Sequence, residues 1–332
     1  MTLKIPKDDF LMNLTRPTRR DMLKFAACST SFSSPFALAA ELGASQDGNP
    51  AYFRFSIGDA KATVVSDGYF SLPTSGIGIN AEPEEVRAFL KRHFLSPEMN
   101  YSHTNHLHIE IGDARILVDV GSGNRFFDTA GRLMENLETA GIDPYEISHV
   151  VITHAHPDHI WGIIDDFDEA IFPDAEYIIG ESEFAHWTQD GLVDRVQPQE
   201  QQFVIGAVNS LGVDGVEWTL ASDGHEVVPG VTLIGTPGHT PGHMSVLLDG
   251  GDASLLALGD SIVHAYIGFS KPEWYNVFDS DGPMGVETRM RILDMAASDQ
   301  IALLGYHFPF PGVGHVMREG ETYRFIPAMW KF

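Results

Sequence analysis

A chain of 332 residues with a formal net charge of −25 presents a surface that repels phosphate backbones, which excludes nucleic acid as a partner. At 43% hydrophobic and 20% charged it has the make-up of a globular protein, and past its N-terminal segment no run reaches the roughly 18 uninterrupted apolar residues of a membrane-spanning helix. Its one cysteine, Cys28, lies in a segment read as removable, so disulfides, cysteine nucleophiles and thiolate metal sites are excluded from the remainder.

Residues 1–39 read as a twin-arginine signal peptide. Thr18-Arg19-Arg20-Asp21-Met22-Leu23-Lys24 has the form of the export signal, Phe25 to Leu38 is mildly apolar, and Ala37-Leu38-Ala39 is a small-x-small cleavage pattern. This expectation makes the twin-arginine export machinery a partner and the protein periplasmic or secreted. Residues 1–39 carry six of the 21 Lys/Arg and three of the 46 Asp/Glu, so without them the net charge is −28. Residues 40–50 read as a linker and 51–332 as one domain.

From Ala51 the chain alternates strands and helices. Strands are expected at Tyr52 to Ile57 and at Ala62 to Ser66, the latter ending at Asp67-Gly68. Glu84 to Phe94 reads as a helix, and Asn105 to Ile111 with Arg115 to Val120 as a hairpin about Gly112-Asp113. Leu133 to Ala140 has helical spacing with Gly141 as its stop. Ser148 to Thr153 is a β-branched run expected as a buried strand, and Ala175 to Ile179 is another, followed by a helix from Glu181. Later strands are expected at Val231 to Gly235, Met244 to Leu248, Ser254 to Leu258 and Ile301 to Leu304. Val286, Met290, Leu293 and Ala297 predict a core-facing helix over Gly285 to Ser298. Strands mixed with helices imply an α/β protein whose sheets lie between helices.

The densest chemical signal is Thr153-His154-Ala155-His156-Pro157-Asp158-His159, at the carboxyl end of the strand Ser148 to Thr153. Loops at such edges commonly carry active-site residues. Imidazole and carboxylate are the ligand types that zinc accepts from a thiol-free chain, and Mn, Co and Fe accept them too. Four ligand-type side chains within six residues are too dense along the chain for one tetrahedral ion and point to two.

His154-Ala155-His156-Pro157-Asp158-His159 matches the HxHxDH signature, and the chain resembles the metallo-β-lactamase superfamily. Further segments resemble it in order: Ser66-Asp67-Gly68, Val118-Asp119-Val120-Gly121, Gly235 to His243, Leu258-Gly259-Asp260 and Tyr306-His307-Phe308-Pro309. The resemblance implies a four-layer αββα sandwich. It implies that His154, His156 and His239 hold one metal, that Asp158, His159 and His307 hold another, and that Asp260 bridges two Zn2+ ions. His243 reads as a neighbour of the ligands. Antibiotic-cleaving members typically carry Cys where this chain has Asp260, and flavodiiron proteins usually carry Glu where it has His156, so neither chemistry is expected. Tyr52-Phe53-Arg54, Leu72-Pro73, Phe310 to His315 and Tyr323 to Pro327 look like the methyl parathion hydrolase group, exported di-zinc enzymes acting on organophosphate esters, lactones and aryl esters.

The function so implied is a zinc-dependent hydrolase using a metal-bridging hydroxide on neutral lactones or esters, with organophosphate triesters as further substrates. Asp158 and Asp260 are the catalytic candidates, to orient the hydroxide and accept its proton. Substrate-pocket candidates are Phe126, Phe127, Trp187, His264, Tyr266 and Trp274, with core packing as the competing explanation for each aromatic ring. His264 and Tyr266 are also candidate proton donors. His103, His106 and His108 read as edge or core residues. Two alternatives stay open: a thioester hydrolase of the glyoxalase II kind, which usually needs basic residues that this chain is short of, and a non-catalytic periplasmic zinc-binding protein. The expected partner is a small neutral ester or lactone; a homodimer is left open.

Overall fold

Among the described residues, two sheets of seven strands carry the fold, each ordered along the chain. The first runs β1 (Tyr52–Ile57), β2 (Ala60–Pro73), β3 (Met99–Ile111), β4 (Ala114–Val118), β5 (His149–Ile152), β6 (Glu176–Gly180), β7 (Trp218–Ala221). The second contains β8 (Glu226–Val228), β9 (Val231–Gly235), β10 (Met244–Asp249), β11 (Ser254–Ala257), β12 (Ala302–Leu304), β13 (Val313–Glu319) and β14 (Thr322–Pro327). The structure, a computed structural model, describes residues 49–329 except 166 and 168. The twin-arginine segment, Cys28 and the linker up to residue 48 lie outside the described residues. Among the described residues no helix is long and apolar enough to cross a membrane.

Pairing is antiparallel from β1 to β4, through two-residue turns at 58–59 and 112–113 and a longer connection with the helix Pro83–Arg92 between β2 and β3, and parallel from β4 to β7, where connections cross over. In the second sheet only β11 and β12 pair in parallel, and the helix Gly282–Asp299 joins them. Alternation along the strands sorts side chains by face. Val64, Leu107, Ile109, Ile116, Val151 and Ile178 of the first sheet meet Val231, Leu233, Val246, Leu248 and Leu255 of the second in one buried layer. The outer face of the second sheet, through Leu256, Leu258 and Leu303, buries Ile292, Leu293 and Ala296 of the long helix. The helix Leu133–Thr139 contacts β2 and buries Leu133 and Leu137. The result is the αββα sandwich expected from the sequence. On β3, His106 and His108 alternate with the inward Leu107 and Ile109 and are buried; burial pulls both imidazoles down to about 4, so they are neutral core residues.

Several stretches differ from the sequence reading: β3 starts at Met99 rather than Asn105, and β7 and β8 were not expected. The strand expected to stop at Asp67-Gly68 continues to Pro73, because the register shift between Ser66 and Gly68 is a bulge that Gly68, at φ 118°, accommodates. The helix Gln201–Leu211 carries few strong helix formers and was not expected. The hairpin β13–β14, turning at Gly320, was read only as part of a motif.

The bulge aims Asp67 inward. Its fully buried carboxyl group accepts hydrogen bonds from the Ser122 amide (3.2 Å), the Ser122 hydroxyl (3.0 Å) and the Leu133 amide (2.7 Å). Burial raises its pKa, and these donors oppose that rise. Asp67 thereby fastens the segment 121–133 and the start of its helix to β2. Replacement by alanine strands three buried donors. Asp67→Ala is expected to lower unfolding free energy by about 3 kcal/mol, read as a lower urea midpoint at constant m, and Asp67→Asn by less because an amide oxygen remains.

Candidate metal centre

Four loops reach the same edge of the sandwich. The first leaves β5 and runs through His154 to His159; Pro157 opens the short helix Pro157–Ile160, with His156 as its N-cap. The second joins β9 to β10 and carries His239. Gly238 lies there at φ 131°, and a Cβ on it would fall 2.3 Å from the Gly285 amide nitrogen, so only glycine fits. The third leaves β11 and carries Asp260; the fourth leaves β12 and carries His307.

The seven residues named from the sequence converge. His154 Nε2 lies 3.0 Å from His156 Nδ1, which lies 3.0 Å from His239 Nε2. Asp260 is in the middle: its carboxylate oxygens stand 3.1 Å from His307 Nε2, 3.3 Å from His159 Nε2, 3.3 Å from His239 Nε2 and 4.0 Å from His154 Nε2. Asp158 Oδ2 is 3.4 Å from both His159 Nε2 and His307 Nε2. Three overlapping groups result among the described residues, His154 with His156 and His239, Asp158 with His159 and His307, and His154 with His159 and Asp260, which links the other two; ligand-type atoms lie within 4.8 Å of one another inside each group.

The outward atom of three of the rings is engaged. His159 Nδ1 donates to Asp119 Oδ2 (2.8 Å), His239 Nδ1 to Asp279 Oδ1 (3.3 Å), and His307 Nδ1 to the His103 carbonyl (2.8 Å). With Nδ1 so engaged, Nε2 of each of these three rings faces the centre. Asp119 adopts φ 61° and also accepts from the Thr153 amide (2.7 Å) and hydroxyl (2.9 Å). Asp279 is paired with the buried Arg289 at 3.6 Å. Inside the centre, Asp158 Oδ2, His159 Nε2 and Asp260 Oδ1 are buried without a hydrogen-bond partner. Ligand-type atoms that converge in this way suit cations, and an N/O donor set suits zinc and its neighbours.

Charge reinforces this. Burial, then the neighbouring rings, hold His154 and His156 well below the ordinary imidazole range. Burial would also lower His159 and His307, but Asp158 and Asp260 raise both, with Asp119 adding to His159. Burial would raise Asp260, yet His307 and His159 hold it well below the usual carboxylate range. The centre is a buried anionic pocket matched to positive charge.

His243 is spent elsewhere. Its Nδ1 lies 2.7 Å from the Thr236 hydroxyl, and its Nε2 accepts from the Asp260 amide at 2.9 Å, so it orients Asp260. Tyr306 stacks on His159 at 3.9 Å between centroids and donates from its hydroxyl to the Asp158 carbonyl (2.6 Å).

The pocket candidates fall in different places. Trp187 is buried with its ring 5.6 Å from His156. Phe126 and Phe127 are half-buried and pack on Phe70, whose ring meets His307 at 5.4 Å, so they stand one ring behind the centre. His264 is buried; its Nδ1 accepts from the Tyr266 and Ile267 amides, and burial holds it down at about 4. Tyr266 is exposed beside His264 and His93. Trp274 packs with Val86, Phe89, Leu90 and Ile267 in a separate apolar cluster. Phe70, Phe203, Phe278, Asp279 and Glu183 approach the centre without having been singled out in the sequence. Each is an ordinary aromatic or acid with no spacing relation to the histidines.

The pattern of the metallo-beta-lactamase superfamily matches residues 103–304. A probable metallo-hydrolase of Mycobacterium tuberculosis (strain ATCC 25618 / H37Rv) is 28% identical over 178 residues, 47% of this chain and 56% of that protein. An N-acyl homoserine lactonase of Bacillus cereus is 25% identical over 152 residues, 45% of this chain and 52% of that protein. The chain thus matches about half the length of these curated relatives. Among solved structures, AidC, a dizinc quorum-quenching lactonase in complex with the product N-hexanoyl-L-homoserine, superposes with a TM-score of 0.79 at 23% identity, covering 85% of this chain and 99% of AidC, a likeness of fold. With the superfamily pattern spanning more than half of its length and the two-sheet sandwich beneath it, this chain belongs to the metallo-β-lactamase superfamily.

Proposed function

We propose that the protein is an exported, metal-dependent hydrolase that holds two zinc ions and opens neutral lactones or esters. The observation that carries the reading is the convergence of seven side chains from four loops with three buried ligand-type atoms left without hydrogen bonds. His154, His156 and His239 would hold one ion, Asp158, His159 and His307 the other, with Asp260 between them. Such ions lower the pKa of water to about 7 and polarise a carbonyl or phosphoryl oxygen.

The chain's own groups do the rest. Asp260, oriented by His243 through its amide, and Asp158, held through its carbonyl by Tyr306, face the centre as acceptors for the proton of the attacking water. Asp119 and Asp279 fix the rings of His159 and His239, so those groups need not reorganise during the reaction. Trp187 beside His156 and Phe70 beside His307 offer apolar flanks to an acyl or leaving group. The net charge of −25 and the negative ring faces disfavour anionic substrates. The names of the lactonase relatives support a neutral lactone as substrate. Neutral organophosphate triesters meet the same chemical requirement and are proposed as secondary substrates. The export reading rests on Arg19 and Arg20 and the residues after them.

Three outcomes test this. Elemental analysis of zinc-loaded protein should give a ratio near two per chain, and Asp260→Ala should lower both zinc content and turnover, the latter by more than about 100-fold; near-normal turnover would remove Asp260 from the centre. Across a panel of aryl lactones, aryl esters and phosphodiesters, kcat/KM should be highest on a neutral carbonyl ester, and Trp187→Ala should weaken it; a phosphodiester turned over fastest would overturn the substrate class. Replacing Arg19 and Arg20 together by lysine should leave an uncleaved precursor in the cytoplasm, checked by fractionation and N-terminal sequencing.

A further inference from the structure

Glu183 is a buried acid that none of the foregoing steps uses. It stands in the first turn of the helix Glu181–Trp187, directly after β6, and is fully buried. Its carboxyl group accepts four hydrogen bonds, two on each oxygen. Oε1 receives the Ala155 amide (3.0 Å) and the Trp187 indole N–H (2.6 Å). Oε2 receives the Thr240 hydroxyl (2.6 Å) and the Gly242 amide (3.1 Å). All four donors are uncharged.

The donors come from the two loops that carry His154, His156 and His239, at the end of the first loop away from Asp158 and His159. Ala155 separates His154 from His156, and Thr240 follows His239. Oε1 therefore holds the loop of the first sheet and Oε2 the loop of the second. Contact is close on the backbone as well: a Cβ on Gly242 would lie 1.9 Å from the Glu183 amide nitrogen. Burying an acid among neutral dipoles is costly unless all its lone pairs are met, and here they are. The other ligand group has separate anchors: Asp119 for His159, the Tyr306 hydroxyl at the Asp158 carbonyl, and the His103 carbonyl for His307.

We propose that Glu183 is a positioning residue for one metal site only, the clamp that sets His154 and His156 against His239 at the 3.0 Å separation of His156 Nδ1 and His239 Nε2. The proposal rests on the two-metal reading. Trp187 belongs to the same clamp, since its indole is both a donor to Glu183 and a wall beside His156.

The test uses the full zinc-loaded chain and follows stepwise zinc transfer to a graded series of chelators. Wild type should hold two zinc ions; a wild-type chain that holds none overturns the metal reading itself and is distinguished from failure of the clamp. In Glu183→Gln one carboxylate oxygen becomes an amide that faces two donors. One zinc should then weaken by about 10–100-fold while the other keeps its wild-type affinity. Trp187 emission should shift with the loss of its carboxylate partner. Thr240→Val, which removes a single donor and leaves the acid in place, should weaken the same zinc by less, and it decides the question alone if Glu183→Gln does not fold. Equal weakening of both zinc ions, alongside a lower Tm, would reduce Glu183 to a general fold contact and overturn the proposal, as would unchanged affinity at both.

Discussion

Everything at the active edge is arranged around one buried carboxylate. Asp260 has four imidazole nitrogens within 4.0 Å, and these come from three other loops and from both sheets. Gathering like groups so tightly away from water is unfavourable on its own. It persists because the loops are held by a rigid support, the apolar layer in which Val64, Leu107 and Val151 meet Val231, Val246 and Leu255. The sandwich thus acts as a scaffold whose two halves must meet in a fixed register for the centre to exist.

Around Asp260, the outer atoms of the rings are assigned to partners that differ between the halves. On the first sheet, Asp119 combines a left-handed backbone with a carboxylate shared between Thr153 and His159. On the second, Asp279 holds His239 and is itself held by Arg289, whose guanidinium also donates to the Pro272 and Trp274 carbonyls. Each carboxylate fixes a ring plane. The arrangement also explains why His243 is not free to act as a ligand: both its nitrogens are committed to Thr236 and to the Asp260 backbone.

The flanks of the centre are unlike one another. Beside His156 stand Trp187, Phe203 and the partly exposed Phe278; beside His307 stands Phe70, backed by Phe126 and Phe127. Phe278 lies next in sequence to Asp279, so the loop that orients His239 also supplies part of the rim. A rim of this composition suits the apolar portion of a neutral substrate, in keeping with a chain whose overall charge repels anions.

Short-range order was legible in the sequence. Four ligand types within six residues, the strand before them, the Pro that opens the following helix and the glycines of the second loop are local features, and local spacing is enough to expect them. The strands and the helical stripe at Val286, Met290 and Leu293 are local in the same way and imply only sheets between helices; the four-layer αββα order was implied by the resemblance that the motifs carry. Tertiary structure decided the rest. Asp67-Gly68 reads as a strand end, yet neighbouring strands absorb it as a bulge and β2 runs on. Trp274, a pocket candidate by its aromatic ring, packs with Phe89 because the helix Pro83–Arg92 folds over it. Glu183 and Asp279 have no spacing that sets them apart from the other acids of this chain. Their roles arise from contacts 28 to 59 residues away for Glu183 and 40 residues away for Asp279, and such contacts are written by the packing of the two sheets rather than by any neighbouring residue.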